Sequence, residues 1–243
     1  MFDIVIPIGP NDINVIKEQI IFTKKNIVGY RNIYLISYDP SLSIDGCITI
    51  EETIFPFSIN DVAKFHGKQS HNGWYLQQLL KLYAGFVIPD ILSTYLVIDS
   101  DTFFLRPVSF INNNKCQYNY GYEYWNPYFE HIKQLLPSLR KQYPDKSGIC
   151  HHMIFQRDYV KELMNMIESL HDNKPFWIIF LEKVDKKYYT HSGASEYELY
   201  FNFMIQYHSD KIELRPLKWM NVNTLDTSKP LDYISYHHYN RNT

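Results

Sequence analysis

The chain has 243 residues, of which 45% are hydrophobic, which is enough for one sizeable α/β domain with a real core. Its formal net charge of −2 argues against a nucleic-acid binder that depends on a broad basic field. The cysteines Cys47, Cys116 and Cys150 are odd in number and widely spaced, so they indicate neither a zinc site nor a disulfide framework and favour a reducing compartment.

The N-terminal run MFDIVIPIG has no basic region before its apolar residues and begins directly as a strand, unlike a signal peptide. No apolar segment approaches the ~20 residues that a membrane-spanning helix needs. We therefore expect a soluble cytoplasmic protein with no transmembrane segment and a single domain over residues 1–243.

The first quarter of the chain has the pattern of a βαβ unit. Residues 2–8 predict a buried strand, residues 12–27 a helix with isoleucines at helical spacing, and residues 33–38 a second strand. Another short strand is indicated at 47–52. The glycine-rich fingerprint of dinucleotide-binding units is missing, so the pattern predicts an α/β fold without that loop.

Residues 64–73 predict a polar loop, and residues 74–86 predict a helix whose polar side chains share one narrow stripe. This stripe consists of Trp74, Gln77, Gln78 and Lys81. A helix this apolar is mostly buried, so the stripe needs partners other than open water. Either a bound ligand supplies them, or the stripe is the exposed edge of an amphipathic helix.

The segment 95–107, YLVIDSDTFFLRP, begins as an apolar strand and continues into two carboxylates, Asp99 and Asp101. Carboxylates are hard oxygen ligands that suit Mg²⁺ or Mn²⁺. In open α/β sheets, ligands bind just beyond the carboxyl ends of the strands. The alternative is a loop in which the two carboxylates make turn hydrogen bonds.

The segment 118–129 is rich in aromatic residues, and Trp125 either stacks on a sugar or packs against a strand. Residues 130–143 predict a helix. Residues 148–155 lead into a strand that carries His151 and His152, each a binding candidate or a hydrogen-bonded core histidine.

Residues 157–170 predict an amphipathic helix, and the apolar run 176–184 is of undecided type. Residues 191–208 begin a helix in which Ser195 and Glu198 match a capping box. Glu196 has no such explanation, so it is either a surface charge that favours the helix start or a general base.

The C-terminal segment DYISYHHYNR alternates like a strand. This alternation predicts Ile234, Tyr236 and His238 on one face and His237 on the other.

Two of these segments resemble a known family. Residues 95–107 resemble the D-x-D region of GT-A-fold glycosyltransferases, hhhDxDxhhhxP, and the stripe W-x-x-QQ-x-x-K resembles the helix that precedes D-x-D in small GT-A enzymes. The resemblance implies an α/β, Rossmann-like GT-A fold with a mixed, mainly parallel sheet flanked by helices. It also implies a metal-dependent hexosyl- or pentosyltransferase that moves sugar from a nucleotide diphosphate sugar to a glycan or another hydroxyl acceptor.

The same resemblance suggests roles for individual residues. The Mn²⁺ or Mg²⁺ ligands would be Asp101, Asp99 and a late histidine, His237 or His238. Asp99 would contact either the metal or the ribose. The nucleotide sugar would lie against Pro7, Ile8, Asp39, Gln77, Gln78 and Lys81. Trp125, His151 and His152 would bind sugar. If the reaction inverts, Glu196 would act as its general base, beside the catalytic Asp101.

Two other classes of protein share some of these features. Haloacid-dehalogenase-type phosphatases carry D-x-D after an apolar strand, with Thr or Val four residues after the first Asp. This chain has Phe103 there, and Thr102 comes one position too early. A non-catalytic carbohydrate-binding module would use the aromatic segment without turnover.

Overall fold

A computed structural model of the protein describes residues 1–241. The strands are β1 (Phe2–Ile8), β2 (Ile27–Val28), β3 (Tyr30–Ser37), β4 (Ile48–Glu51), β5 (Thr94–Ile98), β6 (Thr102–Phe104), β7 (Val108–Ser109), β8 (Ile111–Asn112), β9 (Lys115–Tyr118), β10 (His152–Gln156), β11 (Ile212–Leu214), β12 (Trp219–Asn221) and β13 (Tyr233–Ser235). The α-helices are α1 (Ile16–Asn26), α2 (Ile59–His66), α3 (Asn72–Val87), α4 (Asn126–Leu135), α5 (Arg157–Leu170), α6 (Phe176–Glu182) and α7 (Glu196–His208).

The central sheet has five strands in the order β10-β5-β1-β3-β4. The pairs β5–β1, β1–β3 and β3–β4 are parallel, and only β10 runs antiparallel to its neighbour β5. This mixed, mainly parallel sheet with flanking helices confirms the predicted fold class. The chain also forms two three-stranded sheets, β12-β13-β6 and β11-β9-β8.

The sequences of the inner strands explain their position. Every residue of β1, FDIVIPI, is buried, and so are four of the five residues of β5, TYLVI. Continuous apolar runs of this kind are typical of strands that are covered on both faces. The predicted strands at 2–8 and 95–98 are therefore confirmed.

Several predicted boundaries need correction. The first helix begins at Ile16 rather than residue 12, because a 3₁₀ turn, Pro10–Asp12, precedes it. The predicted loop 64–73 begins inside α2, which starts from the capping pair of Ser58 and Asp61. The undecided run 176–184 is mostly helix α6.

The predicted helix 130–143 is wrong at both ends. Helix α4 begins within the aromatic segment, where Pro127 occupies its first turn, a position that suits proline. It ends at Leu135, because Leu136 is extended and precedes Pro137, and a residue before proline disfavours helix.

The last strand is also shorter than predicted. It ends at Ser235, and a 3₁₀ turn, His238–Asn240, follows. The alternation of faces therefore does not extend to the two histidines.

The carboxyl ends of β1, β3 and β5 lie at one edge of the sheet, because these strands are parallel. Helix α3 packs against β1 and β5, and also against α7. The D-x-D turn, the end of β1 and the start of α7 therefore come together at this edge. None of the helices in residues 1–241 combines the length and apolarity of a membrane span.

Candidate active site

The D-x-D turn is tied to two distant parts of the chain. The backbone N–H of Asp99 donates to the carbonyl of His151 at 2.9 Å, just before β10. The carbonyl of Asp101 accepts from the backbone N–H of Tyr236 at 2.8 Å, just after β13. Because β13 also pairs with β6, the turn is enclosed between β10 and the C-terminal segment.

The carboxylate of Asp99 is held by three side chains. Its Oδ1 lies 2.6 Å from Lys81 Nζ and accepts a 2.9 Å hydrogen bond from the Tyr197 hydroxyl, and its Oδ2 lies 3.4 Å from His151 Nδ1. Burial by itself raises the pKa of Asp99, but the charge of Lys81 and the bond to His151 outweigh it and hold this pKa well below its usual range. Asp99 is therefore an ionised anchor whose oxygens already have protein partners.

Lys81 is almost fully buried, with 2% of its surface exposed, and it bridges two carboxylates. Its Nζ lies 2.6 Å from Glu196 Oε1 as well as 2.6 Å from Asp99, and 4.3 Å from the centre of the Tyr197 ring. Burial lowers the pKa of Lys81, but the charges of the two carboxylates outweigh this effect, so the pKa is raised above its usual value. For Lys81, the predicted need of the helix stripe for partners is thus met by two protein carboxylates.

Glu196 shares this buried arrangement. Its backbone N–H donates to Gln78 Oε1 at 3.0 Å, which joins the stripe of α3 to the first turn of α7. Burial raises the pKa of Glu196, and the nearby charge of Lys81 opposes that rise only in part. Glu196 is therefore buried and paired with Lys81, so the interpretation of it as a surface charge at the helix start is wrong.

The predicted capping box is correct in one half only. Ser195 Oγ accepts from the Glu198 backbone N–H at 3.2 Å and so caps α7. The Glu198 carboxylate does not reach back to the cap, because it accepts hydrogen bonds from Ser147 Oγ at 2.5 Å and Asn202 Nδ2 at 2.9 Å. Through its hydrogen bond with Ser147, Glu198 instead joins α7 to the segment before β10.

Asp101 pairs with His237. The distance from His237 Nδ1 to Asp101 Oδ2 is 2.8 Å, and both side chains are buried. Burial lowers the pKa of His237, but the hydrogen bond and charge of Asp101 outweigh it, so the pKa is raised. His238 is exposed at the start of the 3₁₀ turn, so only His237 is brought to the D-x-D turn.

Three buried polar atoms around this pair have no hydrogen-bond partner within residues 1–241. They are Asp101 Oδ1, His237 Nε2 and His151 Nε2. The rings of His151 and His237 are 4.5 Å apart between centroids. His151 also has φ +59°, a left-handed conformation that is uncommon for residues other than glycine. Buried polar atoms normally have partners, so this group is the candidate position for a ligand.

The same group is the candidate position for a cation. No three His, Cys, Asp or Glu side chains in the described chain are grouped as a metal site. Mg²⁺, however, is commonly bound by one or two carboxylates together with substrate phosphates. Asp101 Oδ1 fits that pattern and would leave the other ligand positions to a diphosphate. His237 contacts Asp101 through Nδ1, so it would join the same cation only by giving up that hydrogen bond.

Asp12 is a site residue that the sequence analysis missed. It follows β1 at the same edge, and its Oδ2 accepts a 2.6 Å hydrogen bond from Ser100 Oγ, the middle residue of D-x-D. Its Oδ1 lies 2.6 Å from Arg241 Nη2. An acidic residue shortly after the first strand was the available signal, since ligands bind beyond such strand ends.

The remaining nucleotide-contact candidates lie at the ends of β1 and β3. Pro7 and Ile8 are the last residues of β1, both buried, and pair with Ile36 and Ser37 of β3. The Asp39 carboxylate accepts from the backbone N–H and hydroxyl of Ser41, which is ordinary turn chemistry and lowers its pKa. Their nucleotide contacts remain predictions.

The sugar-binding candidates occupy three different environments. Trp125 is 45% exposed, and its indole N–H donates to the Ser192 carbonyl at 2.7 Å. His151 lies in the site. His152 is buried among the rings of Phe104, Phe110 and Tyr233, and burial lowers its pKa to about 3. The structure therefore separates His152 from His151, although the two are adjacent in sequence.

The chain was compared with known families and structures. A model of the family DUF6492, described as a family of unknown function, matches residues 16–229. No curated protein matches the sequence. Among solved structures, the apo form of mouse xyloside xylosyltransferase 1 is similar with a TM-score of 0.51 and 9% identity, over 96% of this chain and 97% of that chain. At this identity the likeness supports the fold alone, and it confirms the predicted GT-A class.

Proposed function

This chain belongs to the family of unknown function DUF6492, and we propose that it is a metal-dependent glycosyltransferase. It would move a hexosyl or pentosyl group from a nucleotide diphosphate sugar to a hydroxyl of a glycan or another acceptor. The observation that carries the proposal is the Asp101–His237 pair, whose unpartnered atoms lie at the ligand-binding edge of a GT-A sheet.

The residues of the site have two roles: some would bind the ligand, and others hold the D-x-D turn in place. Asp101 would hold Mn²⁺ or Mg²⁺ through Oδ1, and His237 would join it by exchanging its hydrogen bond with Asp101 for the cation. When bound, the cation neutralises negative charge on the departing diphosphate. The His151 ring lies 4.5 Å from that of His237, and its Nδ1 lies 3.4 Å from Asp99 Oδ2. Asp99 would contact metal or ribose through Oδ2, whose one contact is His151, and it anchors the turn through Oδ1.

Lys81 acts at a distance from the ligand in this proposal. Its Nζ is occupied by Asp99 and Glu196, so it holds the D-x-D turn against α7 rather than binding phosphate directly. Glu196 remains the proposed base of an inverting reaction. Burial raises its pKa and so makes the carboxylate a stronger base, and an acceptor hydroxyl would have to reach it beside Lys81.

The two rival classes differ from this proposal in one observable property each. An aspartyl nucleophile of a phosphatase must be accessible, but Asp99 is held by Lys81 and Tyr197. A carbohydrate-binding module would contact glycan through the exposed rings of Tyr122, Tyr124 and Trp125. It differs from a transferase in that it would bind no nucleotide.

The deciding experiment is calorimetry with a panel of nucleotide diphosphates and their sugars, with and without Mn²⁺. We expect binding that requires Mn²⁺ and is abolished in Asp101→Ala, with an unchanged circular dichroism spectrum. The exposed Asp210→Ala serves as control and should bind like the wild type. Metal-independent binding, or full affinity in Asp101→Ala, would contradict the metal role, and glycan binding alone would favour the binding module.

A further inference from the structure

The C-terminal segment 236–241, which we call the strap, lies across the candidate active site. Its first residue, Tyr236, donates its backbone N–H to the Asp101 carbonyl at 2.8 Å, and its second, His237, contacts the Asp101 carboxylate. The strap then makes one 3₁₀ turn, His238–Asn240. A single turn of this kind has little stability of its own, so the strap needs fastening at its far end.

Arg241 provides that fastening. Its Nη2 lies 2.6 Å from Asp12 Oδ1, its Nη1 donates to the Asn11 carbonyl at 2.8 Å, and its Nε donates to the Tyr236 carbonyl at 3.0 Å. The guanidinium also lies 5.0 Å from the centre of the Tyr236 ring. One side chain thus closes the strap on itself and joins it to the chain that follows β1.

The other oxygen of Asp12 reaches the D-x-D turn. Asp12 Oδ2 accepts the 2.6 Å hydrogen bond of Ser100, so both carboxylate oxygens are used. Asp12 is 9% exposed, and partly buried charge-assisted bonds of this kind are stronger than exposed ones. A single carboxylate is therefore bonded to the turn that carries Asp101 and to the strap that carries His237.

We propose that the Asp12–Arg241 ion pair, which we call the latch, is a positioning device for His237. It holds the imidazole against Asp101 before any ligand arrives and so sets the geometry of the pair. The proposal rests on the proposed function for the role of that pair, but closure of the strap is a property of the metal-free protein. Side chains that orient metal ligands typically change metal affinity about 10- to 100-fold when removed.

The chain contains a matched control pair. Asp3, at the opposite end of β1, accepts from Arg31 Nε at 3.0 Å and Nη2 at 2.7 Å. It also accepts from the backbone N–H groups of Asn32 and Leu92. This pair has the same chemistry as the latch but lies at the end of the strand away from the site.

The first test is hydrogen exchange of the metal-free protein under conditions where each variant is folded. In Arg241→Gln, we expect the amides of Tyr236 and Asn240 to exchange about tenfold faster or more, with β1 and β5 unchanged. Arg241→Lys keeps the charge and should restore part of the protection. Asp3→Asn should leave the strap protected, and if it does not fold, Lys64→Gln replaces it. Unchanged strap exchange in Arg241→Gln would overturn the proposal.

The second test is Mn²⁺ affinity measured by electron paramagnetic resonance in the presence of a nucleoside diphosphate. Arg241→Gln should weaken Mn²⁺ binding about tenfold or more, and it should cause no further loss in a His237→Ala background. An equal loss in both backgrounds means that the latch does not act through His237 and overturns the proposal. If the wild type binds no Mn²⁺, the proposed function fails, while hydrogen exchange still decides whether the latch holds the strap.

Discussion

Lys81 shows how much a buried charge depends on its neighbours. The buried side chain brings one positive charge to two carboxylates, those of Asp99 and Glu196. Removing one partner of a buried ion pair leaves an uncompensated charge and is strongly destabilising, whereas an exposed pair contributes little. The sequence analysis placed Lys81 among the residues that the nucleotide sugar would contact. The structure predicts that replacing Lys81 mainly lowers stability.

Lys81→Met should therefore lower the free energy of unfolding by about 3 kcal/mol, because Asp99 and Glu196 lose their shared cation. Urea denaturation at pH 7 measures this change. Lys64→Met removes an exposed lysine that pairs with Asp61, and it should change stability by less than about 1 kcal/mol. Equal stability of the two variants would show that the buried pairs contribute no more than an exposed one.

Glu196→Gln tests the proposed base. The amide keeps the size of the side chain and some hydrogen bonding to Lys81 but removes its basicity. We expect turnover to fall about 10²- to 10⁴-fold with donor affinity nearly unchanged. Steady-state kinetics and calorimetry on the same preparation measure both quantities.

The matched control is Glu198→Gln, two residues later on the same helix. Glu198 bonds to Ser147 and Asn202 rather than to Lys81, so this variant should lose stability but retain turnover per folded molecule. If both variants lose turnover equally, the effect comes from α7 as a whole. If Glu196→Gln retains turnover, the base is another carboxylate or the mechanism needs none.

At the scale of elements, the position of α7 depends on a glycine that precedes β10. A Cβ added at Gly148 would lie 2.5 Å from Phe201 Cβ and 2.8 Å from the Tyr197 carbonyl oxygen, both on α7. Neither atom can move without moving the helix. This close approach lets Tyr197 reach Asp99 and Glu196 reach Lys81.

Gly148→Ala should therefore lower the free energy of unfolding by about 1–3 kcal/mol and reduce nucleotide binding as the first turn of α7 shifts. Gly73→Ala is the matched control. Gly73 lies in α3, and a Cβ there meets no atom within 4 Å, so this variant should be neutral or slightly stabilising. Denaturation and calorimetry of both variants make the comparison. If Gly148→Ala is as stable as the wild type, α7 can shift at no cost, and the position of α7 does not depend on this glycine.

At the scale of the whole molecule, buried neutral histidines predict how stability depends on pH. His66 and His131 each bond through Nε2 to a carbonyl of α6, of Leu181 and Phe180, both at 2.9 Å. Burial lowers the pKa of both, against the opposing effect of the carbonyl bonds, and brings that of His131 to about 4. In the unfolded chain the ordinary histidine pKa is 6.5.

Because the folded state binds these protons less readily, protonation favours unfolding. The contribution of His131 is fully present above about pH 6.5 and is lost as the pH falls towards about 4, by at most about 3 kcal/mol. His131→Gln should flatten the dependence of the free energy of unfolding on pH in this window, as measured by urea titrations at several pH values. The exposed His238→Gln should keep the wild-type slope, and an equal slope in all three proteins would contradict the assignment.

Part of the site could be predicted because its signals are local. The apolar runs of β1 and β5 predict burial, and D-x-D after β5 predicts ligands at the carboxyl edge of the sheet. The amphipathic period of residues 157–170 matches α5 residue for residue. The errors at α4 were also local. Prolines at 127 and 137 mark both of its ends, and neither end of the predicted helix 130–143 takes them into account.

The sequence by itself determined the α/β class, the inner strands, the D-x-D turn and the need of the α3 stripe for partners. Only the tertiary structure decided what those partners are. Lys81 meets Glu196 across 115 residues, Asp101 meets His237 across 136, and Arg241 meets Asp12 across 229. Periodicity and capping describe neighbours within a few residues, whereas these pairs depend on the order of strands in the sheet and on which helix packs beside it. For the same reason, the choice between His237 and His238 required the fold, since β13 ends before the alternation of a strand could orient them.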